Sequence, residues 1–564
     1  MDDRDGRRQV LDLVSRFTAA HFAAHPEEAS SLGAPGYQAR LGSPSREVAA
    51  SELASLRSAM AEGDAIEEQQ RRGALPLDLD LRLDLDALFR AARGRARRIE
   101  RDLDAEVLEP ATLPHSALQR DALGVRTLAD VEALTERARA VPGYLEAHAD
   151  NLRRGVAEGR GADHDIASTF VERILPGAAR SLETLVSEVG GRVASVAGDP
   201  SRVLAPLAEA LREASMAYRK LSQVVADEIL PHARRDVVLG EEETAFRLRD
   251  VMGVDTPIDE LVAAAQRRLA RAHAEIVEHA RASGNAGIHC VTDAREVVLS
   301  LFEPKPGTID QALAAYRMQL DAATRFCRER AIVEIPDDLA LALEPLPEGI
   351  ADGAGLTNWP APLLDPAGRG FALYSPDPSA HPTIMAKQLA IHEGIPGHYL
   401  QSAMWQRSPP RPVRFFGVAD DVAMAAGTFG TMVSVEGWAV HMEEVMVREG
   451  FMEPGRELLF SAWCDAVRAM RVILDLELHA RDASADEMTA RVADATLLEE
   501  GWARQQVLRS KRIPLQSSTY LIGAMEIEAL EALARPSMSQ LDFHRRLLSY
   551  GPVPTSRLRS EFGG

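Results

Sequence analysis

The stretch Asp255–Ala282, DTPIDELVAAAQRRLARAHAEIVEHARA, sets the reading of the chain. Its apolar residues return at three- and four-residue spacing between charges, as they do on a helix with one buried stripe. Ala, Leu, Arg and Glu dominate it, and all are good helix formers. Its start is marked as well. Thr256 can cap, Pro257 suits the first helical position, and Asp259 and Glu260 favour the positive helix end. A helix is expected from there to about Ala282.

The same pattern recurs at 8–23, 46–71, 84–108, 129–158 and 201–231. Convincing alternation is scarce. The best strand candidates are Ile288–Val291, Ala331–Ile335 and Gly370–Tyr374, each bounded by turn formers. Residues 336–384 are dense in Pro and Gly and predict an irregular wall or lid. The expected fold class is mainly α, a large helical protein with a few short strands beside a cleft. The coarse division is a helical N-terminal region, 1–285, and a catalytic region, 286–564, sharing one continuous core.

Composition excludes several function classes. Across 564 residues, 64 basic side chains face 85 acidic ones, a net charge of −21. That field repels nucleic acid and anionic membranes alike, so neither is an expected partner. A hydrophobic content of 46% with 26% charged residues argues for folded cores over disorder. Cys290, Cys327 and Cys464 are odd in number and widely spaced, and read as reduced, mostly buried residues. There is no secretory h-region and no apolar run long enough to span a bilayer, so the cytoplasm is the expected location.

Chemistry concentrates in residues 388–401, QLAIHEGIPGHYLQ. The segment opens as the zincin motif H-E-x-x-H does, but its second histidine comes six residues after the first. On an ideal helix, His398 then points about 240° away from His392. Pro396 lacks an N–H and would clash with the His392 carbonyl, while Gly397 can take backbone angles closed to other residues. Together they can unwind or bulge the helix and bring His398 back. Downstream, Glu436 lies in an apolar helical stretch from 422 to 447, with Met432 and Val440 one turn to either side. A buried carboxylate there is costly unless it meets a cation. His392, His398 and Glu436 with one open position make a catalytic zinc set, one ion per chain.

Two further constellations stand near it in the reading. On a helix around 462–481, Arg471, Asp475 and His479 form a polar line at i, i+4 and i+8. Such a line is an internal ladder, a solvated edge, or a means of orienting a ligand or donating a proton. Arg509, Lys511 and Arg512, followed by Tyr520, could hold a substrate carboxylate or an oxyanion.

The segments HEGIPGHYLQ, EGWAVHMEE, RVILDLELHAR, IPLQSSTYLIG and FHRRLLSYGPVP resemble, in order and rough spacing, domain-of-unknown-function family 885. That family is largely bacterial, α-helical and regarded as zinc-metallopeptidase-like. The resemblance implies a zincin-like metallohydrolase in which His392, His398 and Glu436 bind zinc and Glu393 is the base. It also implies that Tyr520 and His479 line the site. Four positions depart from the family pattern. Tyr399 stands where many relatives have histidine, His441 where tyrosine is usual, Leu515 for a glycine and Phe246 for a tyrosine. The metal core is intact; the substrate-facing shell, to which Tyr399, His441, Arg471 and Arg512 are assigned, is altered. The expected activity is hydrolysis of amide bonds in short peptides. A non-peptide amide or specialised-metabolite intermediate is the alternative substrate, and a non-catalytic helical binding protein the second alternative.

Overall fold

Helices form where the three-and-four spacing places them, and local capping chemistry sets their ends. The computed structural model describes residues 3–194, 199–235, 237–339, 341–346, 355–418 and 430–563. It is mainly helical with one small sheet. Two compact units divide the chain. One takes Met1–Val237, Leu346–Asp352 and Arg411–Phe429; the other takes Val238–Pro345, Gly353–Pro410 and Gly430–Gly564.

The first unit contains α1 (Asp3–Ala24), α2 (Arg46–Arg71), α3 (Leu79–Glu100), α4 (Leu113–Gly124), α5 (Leu128–Ala157), α6 (Leu175–Val193) and α7 (Ser201–Val224). Ser45 caps α2 through the Val48 N–H, and Thr127 with Asp130 forms a capping box on α5. The helix expected at 84–108 runs earlier, as α3. Asp78 caps it through the Leu81 N–H, and Asp102, at φ 52°, stops the chain from continuing. The helix expected at 201–231 is regular to Val224 and finishes in a π-turn, Val225–Ile229, and a 3-10 turn.

The second unit contains α8 (Ile258–Ala282), α9 (Ile309–Glu329), α10 (His398–Arg407), α11 (Met432–Arg448), α12 (Arg456–Ala480), α13 (Ala485–Thr496), α14 (Glu500–Arg512), α15 (Thr519–Ala534) and α16 (Gln540–Ser549). In α8 the start moves by one residue. Pro257, with ψ 151°, is the N-cap rather than the first helical residue, and Thr256 makes no cap. The division between units falls at Val237, not near 285, because α8 buries its stripe against α12. Leu261 and Ala265 share one core cluster with Val472, Ile473 and Leu476, and Ala272 and Ile276 share another with Leu459, Phe460 and Trp463.

The sheet orders its strands β1-β3-β2, with β1 (Ala342–Pro345) parallel and β2 (Leu356–Trp359) antiparallel to β3 (Phe371–Tyr374). Of the expected strands, only Gly370–Tyr374 is one. Ile288–Val291 is loop running into a 3-10 turn, and Ala331–Ile335 follows the end of α9, with Ala331 at φ 50°. The sheet sits in the region read as an irregular wall and packs Leu356 and Ala372 against Leu313 and Tyr316 of α9. No helix among the described residues is long and apolar enough to cross a membrane. Cys290 is exposed, Cys327 buried and Cys464 half-buried; all three are free thiols.

Candidate metal centre

The six-residue histidine spacing is resolved by breaking the helix. Ala390–Gly394 forms a single π-turn, the chain leaves helical geometry at Ile395, and α10 restarts at His398. The Gly397 N–H donates to the Ile391 carbonyl at 2.9 Å. A Cβ at Gly397 would collide with the His392 and Ile391 carbonyls, so only glycine fits beneath that turn. Trp438, two residues after Glu436, donates its indole N–H to the Pro396 carbonyl at 3.0 Å and fixes the turn to α11.

The two imidazoles therefore converge, with ring centres 4.7 Å apart and planes at 84°. Glu436 Oε2 lies 3.4 Å from His392 Nε2 and 3.3 Å from His398 Nε2. It is buried, yet has no hydrogen-bond partner of acceptable geometry among the described residues. Separations of 3.3–3.4 Å match the edge of a tetrahedron whose centre lies about 2.0–2.1 Å from each donor, the zinc–nitrogen and zinc–oxygen bond length. Both separations from Glu436 thus suit a shared metal, and all three ligand atoms lie within 4.8 Å of one another.

The outer nitrogens are held in the ligating orientation. His392 Nδ1 lies 2.6 Å from Glu443 Oε1, and His398 Nδ1 lies 3.4 Å from Gln401 Oε1. With protons on both Nδ1 atoms, each Nε2 presents a lone pair toward Glu436. Glu443 is clamped in turn by Gln388 Nε2 and by Arg468, the latter at 2.7 Å. Burial opposes a charge on His392, but Glu436 and Glu443 outweigh it and raise the ring to about 10. Burial likewise opposes a charge on Glu436, and the two histidines nonetheless hold it well below the usual carboxylate range. The cluster is built for positive charge. Glu393, next to His392, is half-buried, and burial raises its carboxyl despite the neighbouring histidines.

A family described as "Bacterial protein of unknown function (DUF885)" matches residues 26–562. The chain belongs to this family. No curated protein matches it. Two solved structures share the DUF885 chain's fold. One is described as a putative lipoprotein of unknown function from Shewanella oneidensis, 18% identical, with a TM-score of 0.72 over 98% of this chain and 99% of that one. The other, a putative lipoprotein from Colwellia psychrerythraea, is 16% identical, with a TM-score of 0.77 over 99% and 98%.

Around the His392–His398–Glu436 group of this DUF885 chain, the remaining residues singled out in the sequence divide into those brought to it and those used elsewhere. Tyr520 stacks on His392, ring centres 6.0 Å apart and planes 14° from parallel. The Arg471 guanidinium lies 5.5 Å from the Tyr520 ring centre. His479 spends both ring nitrogens on backbone: Nε2 lies 3.0 Å from the Ser510 carbonyl, and Nδ1 accepts from the Leu239 N–H at 3.4 Å. Asp475 accepts from the Ser510 hydroxyl and from both the N–H and hydroxyl of Ser518. The polar line on α12 thus clamps the turn that delivers Tyr520. His441 is buried, 3.1 Å from His544 across α11 and α16, and His544 Nδ1 lies 2.7 Å from the Ile332 carbonyl. Its place is in helix packing. Tyr399 is buried with Arg369 and Arg407 as its charged neighbours, and Arg512 is half-buried at the end of α14. Glu443, Gln388, Gln401 and Arg468 escaped the sequence reading. Glu443 had a visible signal, since it lies seven residues beyond Glu436 and therefore on the same helix face.

A second group, His21, His25 and Glu52, also gathers three ligand atoms within 4.8 Å, in the first unit. Its polar atoms are already matched. Arg95 donates twice to Glu52, at 2.8 and 2.9 Å, and His25 Nε2 lies 2.9 Å from the same carboxylate. Burial opposes a charge on His25, but Glu52 outweighs it and raises the ring to about 9. This group fits a protonated ion network rather than a metal.

Proposed function

We propose that this DUF885 chain is a zincin-like, zinc-dependent hydrolase that cleaves amide bonds in short peptides. The observation that carries this reading is the meeting of His392, His398 and Glu436 at one point, with the Glu393 carboxylate beside them. Zinc bound there would polarise a carbonyl and acidify a water. His392 and His398 bind through Nε2, each oriented by its Nδ1 contact, and Glu436 brings the negative charge. Glu393 takes the water proton and returns it to the leaving amine. Tyr520, stacked on His392, would donate its hydroxyl to the developing oxyanion.

The test is elemental mass spectrometry on purified protein together with a peptide turnover screen. About one zinc per chain is expected in the wild type and loss of it in His392→Ala and in Glu436→Ala. Glu393→Gln should keep the metal and abolish turnover. No metal in a folded, zinc-supplemented sample would overturn the proposal. A non-peptide amide is the second reading, favoured by Tyr399, beside His398, where many relatives have histidine. Screening small amides beside peptides separates the two.

A further inference from the structure

The zinc-hydrolase reading leaves one charged side chain beside the site with no carboxylate in direct contact, though Glu436 and Asp475 lie within its electrostatic reach. Arg471, half-buried on α12, donates Nε to Gln506 Oε1 at 3.0 Å and faces the Tyr520 ring. It forms no ion pair with a carboxylate among the described residues. The acid nearest in sequence on its helix face, Asp475, is already held by Ser510 and Ser518. Two neighbouring guanidiniums already have partners. Arg468 is occupied with Glu443 at 2.7 Å, and Arg509 donates to Gln516 at 2.7 Å. Burial and the positive charges of Arg509 and Arg468 together pull Arg471 down to about 10. A desolvated guanidinium in such company is stabilised by an anion.

We propose that Arg471 anchors a substrate carboxylate one to three residues from the bond presented to His392 and Glu393. With Nε on Gln506, the two terminal nitrogens remain as a planar pair of donors, the geometry that suits a carboxylate. The path from His392 to Arg471 runs 6.0 Å to the Tyr520 ring and 5.5 Å beyond it. At roughly 3.3–3.6 Å per extended residue, that path holds at most about three residues. This rests on the hydrolase reading and sharpens it. The substrate is a short chain with a carboxylate, supplied by its C-terminus or by an acidic side chain near the cut.

Binding separates this inference from the reading beneath it. Zinc-loaded Glu393→Gln protein is titrated calorimetrically with N-acetylated tripeptides as free acids, as C-terminal amides, and as amides ending in Glu. Free acids should bind about 10- to 100-fold more tightly than plain amides, the range for a charge-assisted contact. Adding Arg471→Met should erase that difference with zinc content and circular dichroism unchanged, and Arg471→Lys should restore part of it. Tight binding of the Glu-terminated amides alone would assign the carboxylate to a side chain. Equal binding of acids and amides, or no measurable binding of either, overturns the inference. A carboxylate preference without any turnover by zinc-loaded wild type would leave the anchor standing and overturn the hydrolase reading instead.

Discussion

Glu443 shows how much of the candidate metal site lies outside the three proposed ligands. It is buried and joins His392 to Arg468 and Gln388. Glu443→Gln should weaken zinc binding about 10- to 100-fold, the usual loss when a ligand's hydrogen-bond partner is removed. Competition with a chromophoric chelator would measure it, and unchanged affinity would count against the centre as drawn. The convergence of His392, His398 and Glu436 was legible because motif spacing and the Pro-Gly insertion are local features. His479 and His441 were harder to read. Their partners, Leu239 and Ser510 for one and His544 for the other, lie 31 to 240 residues away, and no pattern within one helix announces them.

At the scale of elements, the site depends on two helices whose backbones touch. A Cβ on Gly437 of α11 would stand 2.5 Å from the Gly523 backbone of α15, and one on Gly523 would collide with the Val433 carbonyl. This contact brings the helix bearing Glu436 against the helix bearing Tyr520. The glycine of E-G-W-A is therefore a packing residue, as its tryptophan is a clamp on the Pro396 carbonyl. Gly437→Ala should cost about 2–3 kcal/mol by overpacking, read as a lower urea midpoint, with zinc content falling as α11 shifts. A neutral substitution would mean that the helices can separate without loss. Long helices were readable because their periodicity is internal. The strands were not, because each is four residues long and exists through its partner: among the described residues β1 and β2 each pair with β3, across a Pro- and Gly-rich stretch that reads as loop.

The molecule as a whole carries buried, neutral histidines in both compact units, and they set its response to acid. His115 and His148 lie in the first unit, and His441, His479 and His544 in the second. Burial lowers His115, His148, His479 and His544 to about 4 each, and His441 well below its usual value. Neither ring nitrogen of His148 has a hydrogen-bond partner among the described residues, so a proton there would be stranded. An unfolded histidine titrates near 6.5, so the unfolded chain binds protons first as the pH falls. The stability of the neutral folded rings is thus fully present above about pH 6.5 and lost as the pH falls toward 4, by up to roughly 3 kcal/mol for each ring that shifts by 2.5 units. His25 does not oppose this: raised to about 9, it is already charged in the folded state over that window. The buried carboxyls Glu444 and Glu526, raised to about 7, and Asp475, raised to about 6, offset part of it, because the folded chain takes up their protons before the unfolded chain does. The five histidines outnumber those three carboxyls, so the thermal midpoint of metal-free protein should drop between pH 6.5 and 4.5, and calorimetry at half-unit steps would follow it. His115→Gln should flatten the drop, since glutamine keeps a donor and an acceptor for Ser181 and Gln119 without a proton to gain. A midpoint that holds level to pH 4.5 would mean that these rings reach water before the chain unfolds.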